Sequence, residues 1–287
     1  MNRFRARVKR YWPLIKSLQT GLLLFTGLAG YMSARCPVLN WMVVIGLAGS
    51  LFLAISGSTV LNMVYDRDID AQMTRTCLRP LPSGSVSARE GLVIGIGLSL
   101  SGILWAAWMD ALFGLIVFAG WFFDVVVYTI WLKRRTAWAV VWGGIAGGMP
   151  VLAGRALGVG TIDWVALALT MAILFWIPTH IMTFSLRYKE DYALAGVPTF
   201  PSRYGDRITQ RVIALSSMLA AAAMGASAFG IGLTWGYLRL VCVLCAGLLA
   251  FALFSWVRPS SSTQFGLFKY ASLYMLASML LFLVQGF

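Results

Sequence analysis

Charge is scarce in this chain. Asp, Glu, Lys and Arg make up 11% of its 287 residues, against about 25% in soluble globular domains. With 60% hydrophobic residues and a mean hydropathy of +0.80, that shortfall excludes a soluble enzyme and a disordered chain. Acids are the scarcer sign, 10 against 23 cations, and there is one histidine. The surplus of +13 would suit nucleic acid only as the basic face of a soluble fold. Here the cations lie between apolar runs, so no nucleic acid partner is expected. Cys36, Cys77, Cys242 and Cys245 are too few for a disulfide framework. Cys242 and Cys245 form a CxxC inside the apolar run VCVLCAGLLAFAL, where a thiolate is disfavoured. They read as two small apolar residues on one helix face. Glycine and proline, 29 and 9 residues, follow no period, which excludes a collagen. No small-residue cleavage site follows the basic stretch Met1 to Arg10, so the first apolar run is expected to stay as a span.

What the chain does have is long apolar runs. About 20 apolar residues cross a bilayer as a helix. Nine such segments are expected: 14–33, 38–61, 91–109, 112–131, 138–158, 162–184, 211–233, 237–257 and 267–286. The alternation of a barrel strand is absent, and hydrocarbon offers no partner to an unpaired amide. The expected fold is therefore all-α and multi-pass in the cell membrane. Placing the N-terminus in the cytoplasm puts 20 of the 23 cations on that side, leaving Arg35, Arg155 and Arg239 opposite. Arg155 is expected to snorkel to the far interface. One membrane-embedded domain, 1–287, with two long cytoplasmic loops, 62–90 and 185–210, accounts for the whole chain. Those loops hold seven of the ten acids: Asp66, Asp68, Asp70, Glu90, Glu190, Asp191 and Asp206. Acid and base gathered at one face of a charge-poor chain mark a site.

The first loop reads LNMVYDRDIDAQMTRTCLRPLPSG. Asn62, Asp66 and Asp70 recur every four residues and stack on one helix face. Such a row makes a poor all-protein cage, but Mg²⁺ is usually held by one or two carboxylates plus substrate phosphates. A metal–diphosphate complex is the expected ligand. Asp68 falls off that face and is expected to pair with Arg67 or Arg75. Arg75 and Arg79 carry planar forks suited to phosphate, and Arg79 precedes Pro80, where a helix would end. In the second loop the adjacent Glu190 and Asp191 diverge by about 100° on a helix. One can bind metal while the other pairs with Lys189 or Arg187. Tyr188 and Tyr192 can hydrogen-bond the diphosphate, wall a cavity or sit as interfacial aromatics. Lys133 and Arg134 serve equally as phosphate neutralisers or topology determinants. Asp124 lies within the fourth span, where a carboxylate faces the bundle interior or a wet cavity. It can be protonated, pair with a base or orient an acceptor. His180, at the end of the sixth span after Pro178, is open to several roles.

At these residues the chain resembles a known family. NxxxDxxxD followed by RTxxRPLPSG resembles the UbiA superfamily of intramembrane prenyltransferases, and most of all its heme O synthase branch. YTIWLKRRTAWAVVWGGIAGGMPVLAG, FWIPTHI and YKEDYALAGVPTFP resemble further stretches of that branch. The resemblance runs from about 14 to 280. Ala139, Thr179 and Ile181 depart from the branch, which commonly has Asn, Pro and Phe there. The family implies nine helices around a central cavity capped by the two loops, and prenyl transfer from a prenyl diphosphate, with farnesyl diphosphate the expected donor. It also implies Mg²⁺ held by Asn62, Asp66, Asp70 and Glu190 or Asp191. Asp66, Asp70, Arg79, Lys133 and Tyr128 are then the catalytic set. Arg75, Arg79, Lys133, Arg134, Tyr188, Tyr192 and His180 line the substrates, and Asp124 is expected to join them on its intramembrane position alone. The branch implies heme B as acceptor, with His180 ligating it, bonding a propionate or bracing the kink. An aromatic quinone precursor or a lipid alcohol is the alternative acceptor. A transporter would carry its ionisable groups nearer mid-membrane.

Overall fold

The computed structural model describes Arg5, residues 10–35 and residues 40–286. Cys36, the cations Arg3, Arg7 and Lys9, and the first residues of the second expected span lie outside the described residues. Within them the chain is helix and turn, with no strand. A short 3₁₀ turn, Trp12–Ile15, leads into α1 (Ser17–Met32). The long helix α2 (Trp41–Tyr65) and the short α3 (Arg67–Gln72) follow. Then come α4 (Ala88–Met109), α5 (Ala111–Leu132), α6 (Ala139–Val159) and α7 (Trp164–Arg187). The short helices α8 (Lys189–Leu194) and α9 (Phe200–Tyr204) cross the second loop. Last are α10 (Asp206–Ile231), α11 (Trp235–Val257) and α12 (Ser261–Gln285).

Eight of these helices are long and apolar enough to cross a membrane. The first expected span, 14–33, is met by α1, which at 16 residues is just short of the roughly 17–25 that a crossing needs. The spans expose large apolar side chains outward, among them Leu104, Trp108, Phe229, Val243 and Val257. In water such faces would aggregate; in lipid they are solvated. Exposed tryptophans sit at helix ends (Trp41, Trp131, Trp164, Trp235, Trp256), as in an interfacial belt.

Neighbours in sequence are mostly neighbours in space, and the ring closes where α12 meets α1. α1 also lies along α6, and there the glycines decide the approach. A Cβ on Gly154 would strike the Gly27 carbonyl, and one on Gly30 the Val151 carbonyl. Small residues let the backbones touch, the usual packing device where no hydrophobic effect joins the helices. Two of the acids outside the loops cap helices. Asp110 Oδ1 accepts from Phe113 N at 2.7 Å, starting α5, and Asp163 Oδ1 from Ala166 N at 2.8 Å, starting α7. Each cap satisfies an otherwise orphaned amide.

Arg155 departs from expectation. It is buried, 6% exposed, and forks onto Asp163 at 2.6 and 2.8 Å and onto Ser33 O at 2.7 Å. Partners within reach make burial cheaper than snorkelling. The CxxC also splits: Cys245 is buried and Cys242 exposed, because residues three apart on a helix diverge enough to straddle the lipid boundary.

Candidate active site

Helix α2 does not run on through the aspartates as one piece. It ends at Tyr65, and Asp66 (φ −89°, ψ 4°) caps it and opens α3. The amide ladder survives the joint: Asp66 N donates to Asn62 O at 2.9 Å and Asp70 N to Asp66 O at 2.8 Å. Asn62, Asp66 and Asp70 therefore keep the expected four-residue stacking. The second helix ends at Gln72, before Arg79-Pro80, and 74–84 is a run of turns. Those turns bring Arg79 back, its Nη1 donating to Asp70 Oδ2 at 2.7 Å.

Both aspartates are buried, at 4% and 5% exposure. A buried carboxylate costs several kcal/mol unless paired. Asp70 has Arg79, and Asp66 Oδ2 accepts from Lys133 Nζ. Asp66 Oδ1 is buried with no partner, an acceptor that the protein leaves open. Among the described residues no three of His, Cys, Asp and Glu gather closely enough to hold an ion alone. The donor set thus fits a hard cation that arrives with anionic oxygens of its own.

The groups facing α2 come from the second half of α5, which winds as a π-helix from Phe122 to Leu132. Its wider turn bonds Lys133 N to Tyr128 O at 2.8 Å and lets Thr129 Oγ1 reach back to Asp124 O at 2.8 Å. Such wide turns cluster at functional sites. Asp124 Oδ2 accepts from Asn62 Nδ2 at 3.0 Å, and Thr129 Oγ1 donates to Asn62 Oδ1 at 2.7 Å. Both ends of the Asn62 amide are thereby fixed. Lys133 lies 5.7 Å from the Tyr128 ring centroid, so Tyr128, Lys133 and Asp66 form one cluster.

The second loop meets the first. Thr74 Oγ1 donates to the Asp191 carboxylate at 2.8 Å, and Arg75 Nη2 to Tyr192 Oη at 3.4 Å. The Arg75 guanidinium also sits 5.1 Å from the Tyr188 ring centroid. Glu190 is exposed, and its side chain makes no hydrogen bond or ion pair among the described residues. The expected pairing of Glu190 or Asp191 with a neighbouring cation does not form, since Lys189 bridges to Asp206 at 2.8 Å. Asp68 pairs with neither Arg67 nor Arg75. Arg134 takes it with two bonds of 2.6 and 2.7 Å and also donates to Tyr65 O. That fork holds the Asp68 carboxyl below the usual carboxylate range. His180 stands apart from the aspartates, stacked on Trp176 and beside Phe184 and Phe268.

One cation at the mouth escaped the sequence reading except as a topology determinant. Lys16 joins the 3₁₀ turn to α1 in a left-handed conformation (φ 42°), a strain of about 1–2 kcal/mol. Its half-buried side chain lies within the electrostatic reach of Arg79, Lys133, Asp70 and Asp124. Burial, then Arg79 and Lys133, lower its pKa to about 8. Nothing in residue type or spacing sets it apart from other flanking lysines. A cleft of about 900 Å³ opens among Arg10, Pro13, Arg75, Leu78, Arg79, Pro80 and Ser85.

A helical membrane bundle with paired aspartates and unspent cations at one mouth is the architecture of an intramembrane enzyme for a phosphorylated lipid. Residues 23–278 match the UbiA prenyltransferase family, and the chain belongs to it. It is 37% identical over 281 residues to a protoheme IX farnesyltransferase of Archaeoglobus fulgidus, covering 97% of this chain and 96% of that one. Its fold is similar to that of a digeranylgeranylglyceryl phosphate synthase, with TM-score 0.82 and 18% identity over 98% and 99% of the two chains. It is also similar to a UbiA homolog from Archaeoglobus fulgidus bound to GPP and Mg²⁺, with TM-score 0.68 and 16% identity over 95% and 99%.

Proposed function

We propose that this chain transfers a farnesyl group from farnesyl diphosphate to heme B, giving heme O, in a Mg²⁺-dependent reaction. The observation that carries the donor half is the open Asp66 Oδ1, buried between Lys133 and the Asp70–Arg79 pair. The acceptor half is supported by the protoheme IX farnesyltransferase to which the chain is similar along nearly its whole length, and Mg²⁺ by the ion in the UbiA homolog of like fold. We place the reaction in the cell membrane, with 1–287 acting as one unit of nine spans. The N-terminus and the mouth face the cytoplasm, as the distribution of cations implies.

Asp66 and Asp70 would hold Mg²⁺, with the Asn62 carbonyl beside them and Asp191 or Glu190 across the mouth. The ion supplies positive charge to the diphosphate oxygens when bound. Arg75, Arg79, Lys133 and Lys16 add fixed cations where negative charge grows as the allylic C–O bond breaks and its electron pair leaves with diphosphate. Arg134, already spent on Asp68, would act from the rim. Tyr128, Tyr188 and Tyr192 present ring faces or hydroxyls to the donor, and the apolar bundle keeps water from the allylic cation. The vinyl π electrons of heme then form the new C–C bond. Water adds to the resulting cation and gives up a proton, completing a hydroxyethylfarnesyl group.

The test offers the purified protein, in lipid nanodiscs with Mg²⁺, farnesyl diphosphate together with heme B, a quinone precursor or a lipid alcohol. Farnesylated heme, identified by mass, is the expected product. Product from another acceptor alone would overturn the heme assignment and leave the family's prenyl transfer intact.

A further inference from the structure

The aspartate mouth accounts for the donor but not for a second cluster on the inner ends of α7 and α12. Trp176 and His180 stack with ring centroids 5.1 Å apart and planes 27° apart. His180 meets Phe268 at 5.0 Å, and Phe268 stacks on Phe265 at 5.8 Å with planes 14° apart. This is a run of aromatic faces leading from within the bundle to its loop end. Two cations close it: the Arg187 guanidinium lies 4.9 Å and the Lys269 ammonium 4.8 Å from the Phe265 centroid. Both are exposed, and neither has a carboxylate partner among the described residues. Inside the run, His180 Nδ1 is buried with no hydrogen-bond partner. Buried polar atoms are nearly always paired, so an orphan among ring faces marks a place completed by something else.

We propose that this run is the acceptor subsite and that Arg187 and Lys269 recognise the two carboxylates of an iron porphyrin lying against it. The inference rests on the heme reading above and adds the residues that select the acceptor. An iron porphyrin is flat and apolar over most of its area, with both propionates on one edge. Ring faces match the plate, and a histidine suits its iron. Two unneutralised cations, one from each helix, match two carboxylates. The polarity also fits the reaction: with the propionates at the rim, the opposite, vinyl-bearing edge points into the bundle, where the allylic chain must lie. The subsite touches the donor mouth through Phe184. Its ring lies 5.2 Å from both His180 and Phe268, and the Arg75 guanidinium is 5.9 Å from it.

The experiment titrates heme B and its dimethyl ester, which lacks both carboxylates, into the full-length protein in nanodiscs of neutral lipid, followed by the Soret band. The wild type should bind heme B at least tenfold more tightly than the diester. In the Arg187→Gln/Lys269→Gln double variant the two should bind alike, with pyrophosphate affinity in Mg²⁺ unchanged. His180→Ala should instead alter the Soret spectrum with either porphyrin. If the double variant folds and keeps the wild-type preference for heme B, the two cations do not hold the propionates and the subsite is wrong, while the acceptor can still be heme. If the wild type neither binds heme B nor farnesylates it, the heme reading itself fails.

Discussion

Asp66 and Lys16 show how one side chain's environment decides its work at this mouth. Asp66 spends one oxygen on Lys133 and leaves the other bare in a buried position. Asp66→Asn keeps the shape and removes the charge. It should cut turnover per folded molecule by about 100-fold or more, the scale at which a single electrostatic group acts in a transition state, beyond any stability lost as Lys133 is left unpaired. Near-normal turnover in this variant would take Asp66 out of the metal site. Lys16 makes a separate prediction through pH. Its pKa is lowered to about 8 by burial and by Arg79 and Lys133, so its ammonium is present below that value and lost above it. Affinity for pyrophosphate should therefore fall as pH rises from 7 to 9. In Lys16→Arg, whose charge persists across that range, the decline should flatten. Equal slopes in the two proteins would show that Lys16 does not meet the anion.

Among the elements, the π-wound half of α5 does most to shape the site. It presents Asp124, Tyr128, Thr129 and Lys133 to α2, and through Asp124 and Thr129 it fixes the rotation of the Asn62 amide. Asp124→Ala should free that amide and raise the Mg²⁺ concentration for half-maximal activity by about 10-fold, as loss of a group supporting a metal ligand commonly does. Asp124→Asn keeps one acceptor and should do less. An unchanged Mg²⁺ requirement in Asp124→Ala would mean that Asp124 serves the acceptor or the fold instead. This element also shows where sequence reading stops. The spacing of Asn62, Asp66 and Asp70 was legible because amide bonding continues through the break at Asp66. The role of Asp124 was not, because templates of 3.6 residues per turn do not contain the wide turn. The partners of Asp68, Asp191 and Arg155 lie 66, 117 and 122 residues away or across a helix start, and local pattern carries no information about them.

At the scale of the whole molecule, the bundle holds its two ends by different means. The mouth is rich in charges that a ligand can recruit, while the opposite end is closed by a finished network. Arg155 Nε and Nη2 satisfy Asp163 and its Nη1 satisfies Ser33, tying the end of α1 to α6 and the start of α7. The same hydrogen bonds hold the Asp163 carboxyl below the usual range, so the latch stays charged well into mild acid. Removing one partner of a buried pair costs about 3–5 kcal/mol because the other is left uncompensated. Yet Arg155 lies more than four turns along α6 from Ala139 at its mouth end, about 24 Å away. Arg155→Met should therefore lower the melting temperature by several degrees. It should leave turnover per folded molecule and the Mg²⁺ requirement at wild-type values. Asp163→Asn should cost less, since the amide oxygen still caps α7 at Ala166. If Arg155→Met reduced turnover without loss of stability, the two ends would be coupled. The bundle would then have to shift as a body during the reaction rather than serve as a fixed frame for the mouth.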